Sequence, residues 1–354
     1  MKRNKRTLMR VELILVGLLV LVLIFLSLLL FRQKIGEVSS TLSDTNISYE
    51  NYYVIITDDR DSAIWQSIYT GAAQAGMESA DAYVEFMGIQ SPTDYTIQEK
   101  LRIAIDSGVS GIIISADGSE ETTSLIDEAV EKGIPVVTAL YDDSSSLRQC
   151  FVGVNSYSLG ETYGEIAWKN LNEKEELSDC RITILMDGDS ANTGHNTTYL
   201  GLKEYLDLVV EKSGWEYDIF IEAIAVNRDE TFQADETIGN LIIEGNVDIL
   251  ICLNAEDTES AYQAIVDYNK VGNIEIIGYY ESEIILEAIE KEVINATVMV
   301  SGEEVGYRCI MAMEEYFDAG YVNGYIPMGI KVLTADNVSE YLAKYQEDDG
   351  YEDE

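Results

Sequence analysis

The chain has 354 residues, with 64 acidic and 23 basic side chains and a formal net charge of −41 at neutral pH. Such a charge repels nucleic acid phosphates and anionic lipid headgroups, which argues against a DNA-binding or peripheral membrane protein. One histidine and no closely spaced pair of cysteines leave few ligands for a transition metal and no histidine-based nucleophile system. We therefore predict no enzyme activity, no catalytic residue, no cofactor and no metal site.

A basic segment followed by an apolar one opens the chain. Leu13–Phe31 is long enough to cross a bilayer. Five basic residues precede this run, whereas only Arg32 and Lys34 follow it closely, so its basic end is expected to stay in the cytoplasm. Residues 1–34 are thus predicted to be a single-pass anchor in the cell membrane, with the rest of the chain outside. A cleaved signal peptide is the alternative, although its apolar core is usually shorter and ends in small residues.

The external part is large and still more acidic. Residues 35–354 contain 16 basic and 63 acidic side chains, a net charge of −47. Their number is too large for one ordinary core and suits two lobes. Residues 35–51, rich in Ser, Thr and Asn, are predicted to be a stalk. The acidic residues 336–354 are predicted to be a solvated C-terminal tail whose last residues, 346–354, are disordered.

Short apolar runs alternate with longer segments of helical period from Tyr52 onward, which predicts a parallel sheet covered by helices. Most of the runs are apolar at consecutive positions, and this indicates burial on both faces of the sheet. Nine strands are predicted, at residues 52–57, 82–87, 111–115, 135–140, 151–154, 182–186, 219–226, 247–253 and 274–279.

An internal repeat favours two similar lobes over one large sheet. Gly108 ends a helical pattern and precedes a buried strand, and Gly245 does the same 137 residues later. Gly133 and Gly272, before the next strands, are 139 residues apart. Two α/β lobes in tandem explain such agreement. Because open α/β sheets bind ligands at the carboxyl ends of their strands, two facing lobes would form a cleft.

The four cysteines do not form the dense disulfide framework of small secreted domains. Cys252 and Cys309 lie in apolar patterns and are predicted to be core residues. The sequence leaves open whether Cys150 and Cys180 form a disulfide.

Several motifs, in this order, resemble the periplasmic sugar-binding proteins of the ribose and galactose type, or type I periplasmic binding proteins. The resemblance covers roughly residues 52–340, and none of its motifs is specific alone. They are Val54–Thr57 followed by Ile64 and Trp65, Gly108–Ser115, Ala129–Thr138, Val152–Gly160 and Ile326–Thr334.

The resemblance implies an α/β fold of two doubly wound parallel-sheet lobes joined by a three-crossing hinge. The first lobe would contain residues 52–155 with 301–327, and the second residues 156–300 with 328–335. The three hinge crossings would lie near Asn155, Val300 and Met328. Hinges of this kind allow closure around a ligand.

The resemblance also implies ligand-binding residues in the cleft. Trp65, with its neighbour Ile64, follows the first strand where the family places aromatic rings against the sugar, although a core role is the alternative. Asp142 and Asp143 follow a strand where the family often has an acidic residue that binds sugar hydroxyls, but the pair is also ordinary loop composition. Asn254 occupies a position where the family carries an asparagine, with helix capping as the alternative.

Other positions depart from the family. Asn196 lies where sugar binders commonly have an arginine, and it could equally cap a helix, while its neighbour His195 could lie in an exposed loop. Tyr280 stands where an acidic residue is expected, and Val300 where a polar residue is expected. The polar clasp is therefore weaker than in pentose and hexose binders, and the ligand could be something other than a simple monosaccharide.

These observations predict an extracytoplasmic solute-binding protein that closes on a small polar ligand, a carbohydrate by resemblance. Its expected partner in the membrane is either a sensor histidine kinase or an ABC permease. Two alternatives are a ligand-free module for cell-surface contacts and a carbohydrate-acting enzyme. The enzyme is disfavoured, because nothing nominates two carboxylates that face each other across a sugar.

Overall fold

The computed structural model describes residues 49–87, 95–173, 178–187, 193–227 and 233–348. Within them, the chain forms two six-stranded sheets that belong to one compact unit beginning at Glu50. The first sheet contains β1 (Asn51–Ile56), β2 (Ala82–Phe86), β3 (Gly111–Ile114), β4 (Val136–Ala139), β5 (Cys150–Gly153) and β11 (Tyr325–Pro327). The second sheet contains β6 (Cys180–Asp187), β7 (Ile219–Val226), β8 (Ile249–Ile251), β9 (Glu275–Tyr279), β10 (Ala296–Met299) and β12 (Lys331–Leu333).

Helices connect the strands. They are α1 (Ala63–Ala75), α2 (Ile97–Ser107), α3 (Glu120–Glu131), α4 (Ser156–Glu173), α5 (Thr193–Ser213), α6 (Gln233–Glu244), α7 (Ala255–Asp267), α8 (Glu283–Glu290), α9 (Gly302–Ala319) and α10 (Ser339–Asp348). Local sequence sets their ends. Thr96, for example, caps α2 by accepting a hydrogen bond from the backbone N–H of Glu99, whose carboxylate accepts one from the N–H of Thr96.

The two sheets have matching strand orders, β11-β5-β4-β3-β1-β2 and β12-β10-β9-β8-β6-β7. All of these pairs are parallel except β10 with β12. The central strands are buried on both faces, as consecutive apolar residues predict. In β3, Ile113 packs into one hydrophobic cluster, whereas Ile112 and Ile114 pack into another on the opposite face. The prediction of two parallel-sheet α/β lobes is confirmed.

All nine predicted strands are present, with ends shifted by a few residues. The internal repeat also holds in the backbone. Gly108 and Gly245 both have a φ of 65°, and Gly133 and Gly272 have φ values of 85° and 79°. Each pair thus takes up the same left-handed turn before the equivalent strand, a conformation that glycine adopts without steric cost.

The chain passes between the described sheets three times, because β5 is followed by β6, β10 by β11, and β11 by β12. At the last passage, the N–H of Met328 still bonds to the carbonyl of Gly153 in the first sheet, with an N···O distance of 2.9 Å. The lobe limits at residues 155, 300 and 327 stay a prediction.

The C-terminal segment differs from the predicted acidic tail. Residues 339–348 form α10, and the side chains of Val338 and Leu342 are buried in the core. Two apolar residues four positions apart therefore anchor a helix that is otherwise mostly polar, while residues 349–354 lie outside the described part.

The structure also bears on the cysteines and the anchor. All four cysteines are buried, and no disulfide joins Cys150 in β5 to Cys180 in β6. Among the described residues, no helix combines the length and apolar character needed to cross a membrane. The predicted anchor, residues 1–34, and residues 35–48 of the predicted stalk lie outside them.

Candidate functional site

A cavity of about 40 Å³ lies where the carboxyl ends of strands from both sheets meet. This is where parallel α/β sheets bind ligands. From the part of the chain that includes the first sheet, it is lined by Leu140, Tyr141 and Val154. From the part that includes the second sheet, it is lined by Ser156, Leu159, Thr198, Leu253, Tyr279 and Val300. The volume holds roughly three water molecules.

The lining is apolar with a few hydroxyl groups. Five of the nine residues are aliphatic, two are tyrosines, and the remaining two are Ser156 and Thr198. None of the nine carries a carboxylate, an amide or a guanidinium group. Such a surface binds through shape and apolar contact, with hydroxyl groups to orient the ligand.

Tyrosines from both lobes approach one another at this cavity. Burial raises the pKa of Tyr279, and the nearby phenols of Tyr141 and Tyr280 raise it further. Burial likewise raises the pKa of Tyr163, whose hydroxyl donates to the carbonyl oxygens of Cys252 and Gly278 at 3.2 and 3.4 Å. These phenols are therefore neutral at physiological pH and act as hydrogen-bonding groups, not as charges.

Leu140 and Tyr280 hold equivalent places in the two sheets. Each directly follows the strand, β4 or β9, and each has a φ of 64°. The N–H of Leu140 bonds to the carbonyl of Val152 at 3.2 Å, and that of Tyr280 to the carbonyl of Val298 at 2.7 Å. A left-handed conformation costs a residue with a side chain roughly 1–2 kcal/mol. Because such strain concentrates at functional sites, its occurrence at both strand ends points to the cleft as the site.

Two helices approach closely beside the cavity. A Cβ atom at Gly160 of α4 would lie 2.7 Å from the backbone nitrogen of Leu202 in α5, and still closer to the carbonyl oxygen of Thr198. A Cβ atom at Gly201 would lie 3.0 Å from the carbonyl carbon of Tyr157 and closer to its oxygen. Glycine at these positions thus fixes the separation of the helices that carry Leu159 and Thr198.

The predicted aromatic contact is buried. Trp65 is 2 % exposed and Ile64 is 9 % exposed, and both belong to the same hydrophobic cluster as Tyr280 and Val300. Neither lines the cavity. The core role that the sequence left open for Trp65 is therefore occupied, and its contact with a ligand stays a prediction.

Asp142 and Asp143 bind groups within their own lobe. Asp142 forms a bidentate pair with Arg148 and also accepts a hydrogen bond from Thr138 at 2.8 Å. Asp143 is 5 % exposed and accepts hydrogen bonds from the hydroxyl groups of Thr123 and Ser145, both at 2.6 Å. Neither aspartate lines the cavity.

The two predicted asparagines lie on the second lobe. Asn254 caps α7, since its Oδ1 accepts from the N–H of Asp257 at 2.7 Å and its Nδ2 donates to the Asp257 carboxylate at 3.0 Å. Asn196 is exposed in the first turn of α5, and the side chain of His195 lies outside the described residues. Tyr280 is 3 % exposed and adjoins the lining residue Tyr279.

The sequence did not single out most of the lining. Leu140, Tyr141, Val154, Leu159 and Leu253 resemble ordinary strand or helix ends. One signal was available, because Leu140 and Tyr280 are exactly one repeat length apart, at 140 residues. Among the described residues, no group of three or more His, Cys, Asp and Glu is placed to hold a metal ion.

Comparison with known proteins agrees with the fold. Residues 53–320 match the family model described as a periplasmic binding protein domain. No match was found among curated proteins.

Solved structures share the architecture. GanP, a glucose-galactose binding protein from Geobacillus stearothermophilus, is 24 % identical with a TM-score of 0.70, over 82 % of this chain and 99 % of its own. XylFII in the XylFII-LytSN complex is 22 % identical with a TM-score of 0.67, over 82 % and 100 %. An ABC transporter solute-binding protein from Agrobacterium vitis with bound D-fucose is 17 % identical with a TM-score of 0.68, over 83 % and 98 %.

At these identities the solved structures establish the fold, and the family model establishes the relationship. The two-lobed architecture is that of type I periplasmic binding proteins. The chain belongs to the periplasmic binding protein family, whose members bind solutes and are not enzymes.

Proposed function

We propose that the chain is an extracytoplasmic receptor that closes its two lobes on a small ligand of the carbohydrate class. The observation that carries this proposal is the cavity at the strand ends, because groups from both lobes line it. A ligand that contacts both lobes stabilises the closed state and shifts the population toward it. Structural neighbours that bind glucose, galactose or D-fucose support the carbohydrate class.

The receptor would be fixed to the cell membrane by Leu13–Phe31, with its N-terminus in the cytoplasm. The charge difference across this segment supports that orientation. A protease added to intact cells should remove the external domain while the N-terminal segment stays in the membrane fraction. Release of the whole protein from untreated cells would instead indicate cleavage of a signal peptide.

The closed receptor would act on a membrane partner, either a sensor histidine kinase that reads its shape or an ABC permease that takes its ligand. The XylFII-LytSN complex supports assembly of this fold with a second protein. The genes beside this one distinguish the two partners, since a kinase gene favours sensing and permease genes favour uptake. Co-purification of the full chain with the encoded partner, with and without ligand, tests the choice.

A ligand-free interaction module is the second candidate. The observation that favours it is the size of the cavity, whose roughly three waters are fewer than the ring and hydroxyl atoms of a monosaccharide. In that case the tyrosines and aliphatic side chains would hold the lobes together, and a partner would bind the permanently closed form.

A thermal-shift screen of the purified full chain against sugars, polyols and other small metabolites separates the candidates. A ligand that binds only the folded state raises the melting temperature by mass action. Stabilisation by one class of compound supports the receptor. No stabilisation by any compound at millimolar concentration contradicts it and favours the ligand-free module.

A further inference from the structure

The described cavity wall is poorly matched to a ligand covered in hydroxyl groups. Each hydroxyl that leaves water needs a donor or acceptor in the site, and a carboxylate serves best because it can accept two hydroxyl protons. The lining instead offers five aliphatic side chains and no carboxylate. A hydroxyl placed against Leu140 or Val300 would lose its water partner without a replacement, which weakens binding.

The nearest polar candidates are already engaged. The carboxylate of Asp142 is held by Arg148, and that of Asp143 by Thr123 and Ser145. The amide of Asn254 is held at the start of α7. Turning any of these groups toward a ligand would break bonds that the lobe itself uses, and would leave Arg148 or the helix end without its partner.

We propose that the cleft selects a ligand whose surface toward Leu140 and Val300 lacks hydroxyl groups, of the kind that a deoxy sugar presents. This inference rests on the proposed receptor function and specifies its ligand class. Leu140 precedes the first passage of the chain between the sheets, and Val300 directly precedes α9 at the second. The apolar wall therefore comes from both lobes and contacts the ligand in the closed state.

Calorimetry of the full chain with three matched pairs of sugars tests the proposal. The pairs are galactose with D-fucose, glucose with 2-deoxyglucose, and ribose with 2-deoxyribose, and each pair differs by one hydroxyl group. We expect the deoxy member of the pair that fits the cleft to bind at least tenfold more tightly. Equal or tighter binding of the hydroxylated member in every pair that binds overturns the proposal and leaves the receptor function intact.

Absence of binding has two distinct meanings. If none of the six sugars binds but another compound of the thermal-shift screen does, the deoxy-sugar class is wrong. If no compound binds in either assay, the receptor function itself is wrong, and the inference is overturned with it.

Two substitutions test whether the wall sets the preference. Val300→Thr adds a hydroxyl with almost no change of shape, and Leu140→Asn adds an amide at a φ of 64°, a conformation that asparagine tolerates better than leucine. Each should reduce the preference for the deoxy sugar at least threefold. The matched control is Glu292→Asn, at an exposed residue with a φ of 56° that does not line the cavity, and it should leave the preference unchanged. An unchanged preference in both cavity variants overturns the proposal.

Discussion

Gly160→Ala should destabilise the second lobe and disturb the cavity. The new Cβ would lie 2.7 Å from the backbone nitrogen of Leu202, whereas ordinary contact begins at 3.4 Å, so the helices must separate by at least 0.7 Å. Since the obstructing atoms belong to the backbone, no side-chain rotation relieves the contact. We place the overpacking cost near 3 kcal/mol, the upper end of the usual range, and the helix propensity of alanine returns about 1 kcal/mol. The net loss of unfolding free energy is then about 2 kcal/mol.

Equilibrium urea unfolding of the full chain measures this loss, and Gly239→Ala is the matched control. Gly239 lies inside α6 of the same lobe, where a Cβ atom would meet only Tyr268 at an ordinary 3.7 Å. This variant should gain about 1 kcal/mol from helix propensity. Gly160→Ala should also bind ligand more weakly, because Leu159 and Thr198 would move. Equal urea midpoints for the two variants would refute the reasoning.

Three further predictions concern polar groups. Arg148→Lys removes the bidentate contact with Asp142 and should lower the unfolding free energy by about 1.5 kcal/mol, so wild-type stability in urea would contradict the importance of the pair. Burial would raise the pKa of Asp117, but hydrogen bonds from Ser119, Thr122 and Gln98 hold it below its ordinary value. Its stabilising contribution is thus present above a pH of about 4 and is lost as the pH falls through the folded-state pKa. The stability difference between wild type and Asp117→Asn in urea should therefore shrink from pH 7 to pH 3, and a constant difference would exclude this linkage. Burial raises the pKa of the Cys150 thiol to about 11, so iodoacetamide at pH 8 should label it slowly in the native protein, while four thiols per chain should react in urea. Only two reactive thiols in urea would reveal a disulfide.

The sequence predicts the sheets well because burial on both faces leaves a strong signal. Strands such as β3, β4 and β5 consist almost wholly of apolar residues, and few other structures need four of these in succession. β10 was not among the predicted strands, since its buried Thr297 weakens the pattern. In the fold, the hydroxyl of Thr297 donates to the carbonyl of Tyr280 at 2.7 Å, so burial leaves it paired.

The ligand contacts are less predictable, because a polar side chain after a strand can turn either to the cleft or to its own lobe. Asp142 illustrates the difficulty. Its partner Arg148 is only six residues away in the sequence, but nothing in the spacing shows that a loop brings the two together. Tyr141 illustrates the converse, since a tyrosine at a strand end has no pattern that distinguishes a cleft residue from a core residue.

An apolar cleft also limits how strongly a ligand can switch the receptor. A ligand shifts the balance between open and closed lobes only by the difference between its contacts in the two states. Where Tyr141 and Tyr279 already approach each other across the cavity, part of the closed-state energy exists before any ligand arrives. Under the proposed function, the unliganded receptor therefore retains a closed population, and its partner receives a basal signal that the ligand raises. Tyr141→Ala should lower that basal signal and make the partner depend more steeply on ligand. A basal signal that survives this substitution unchanged would show that closure does not depend on the tyrosine contact.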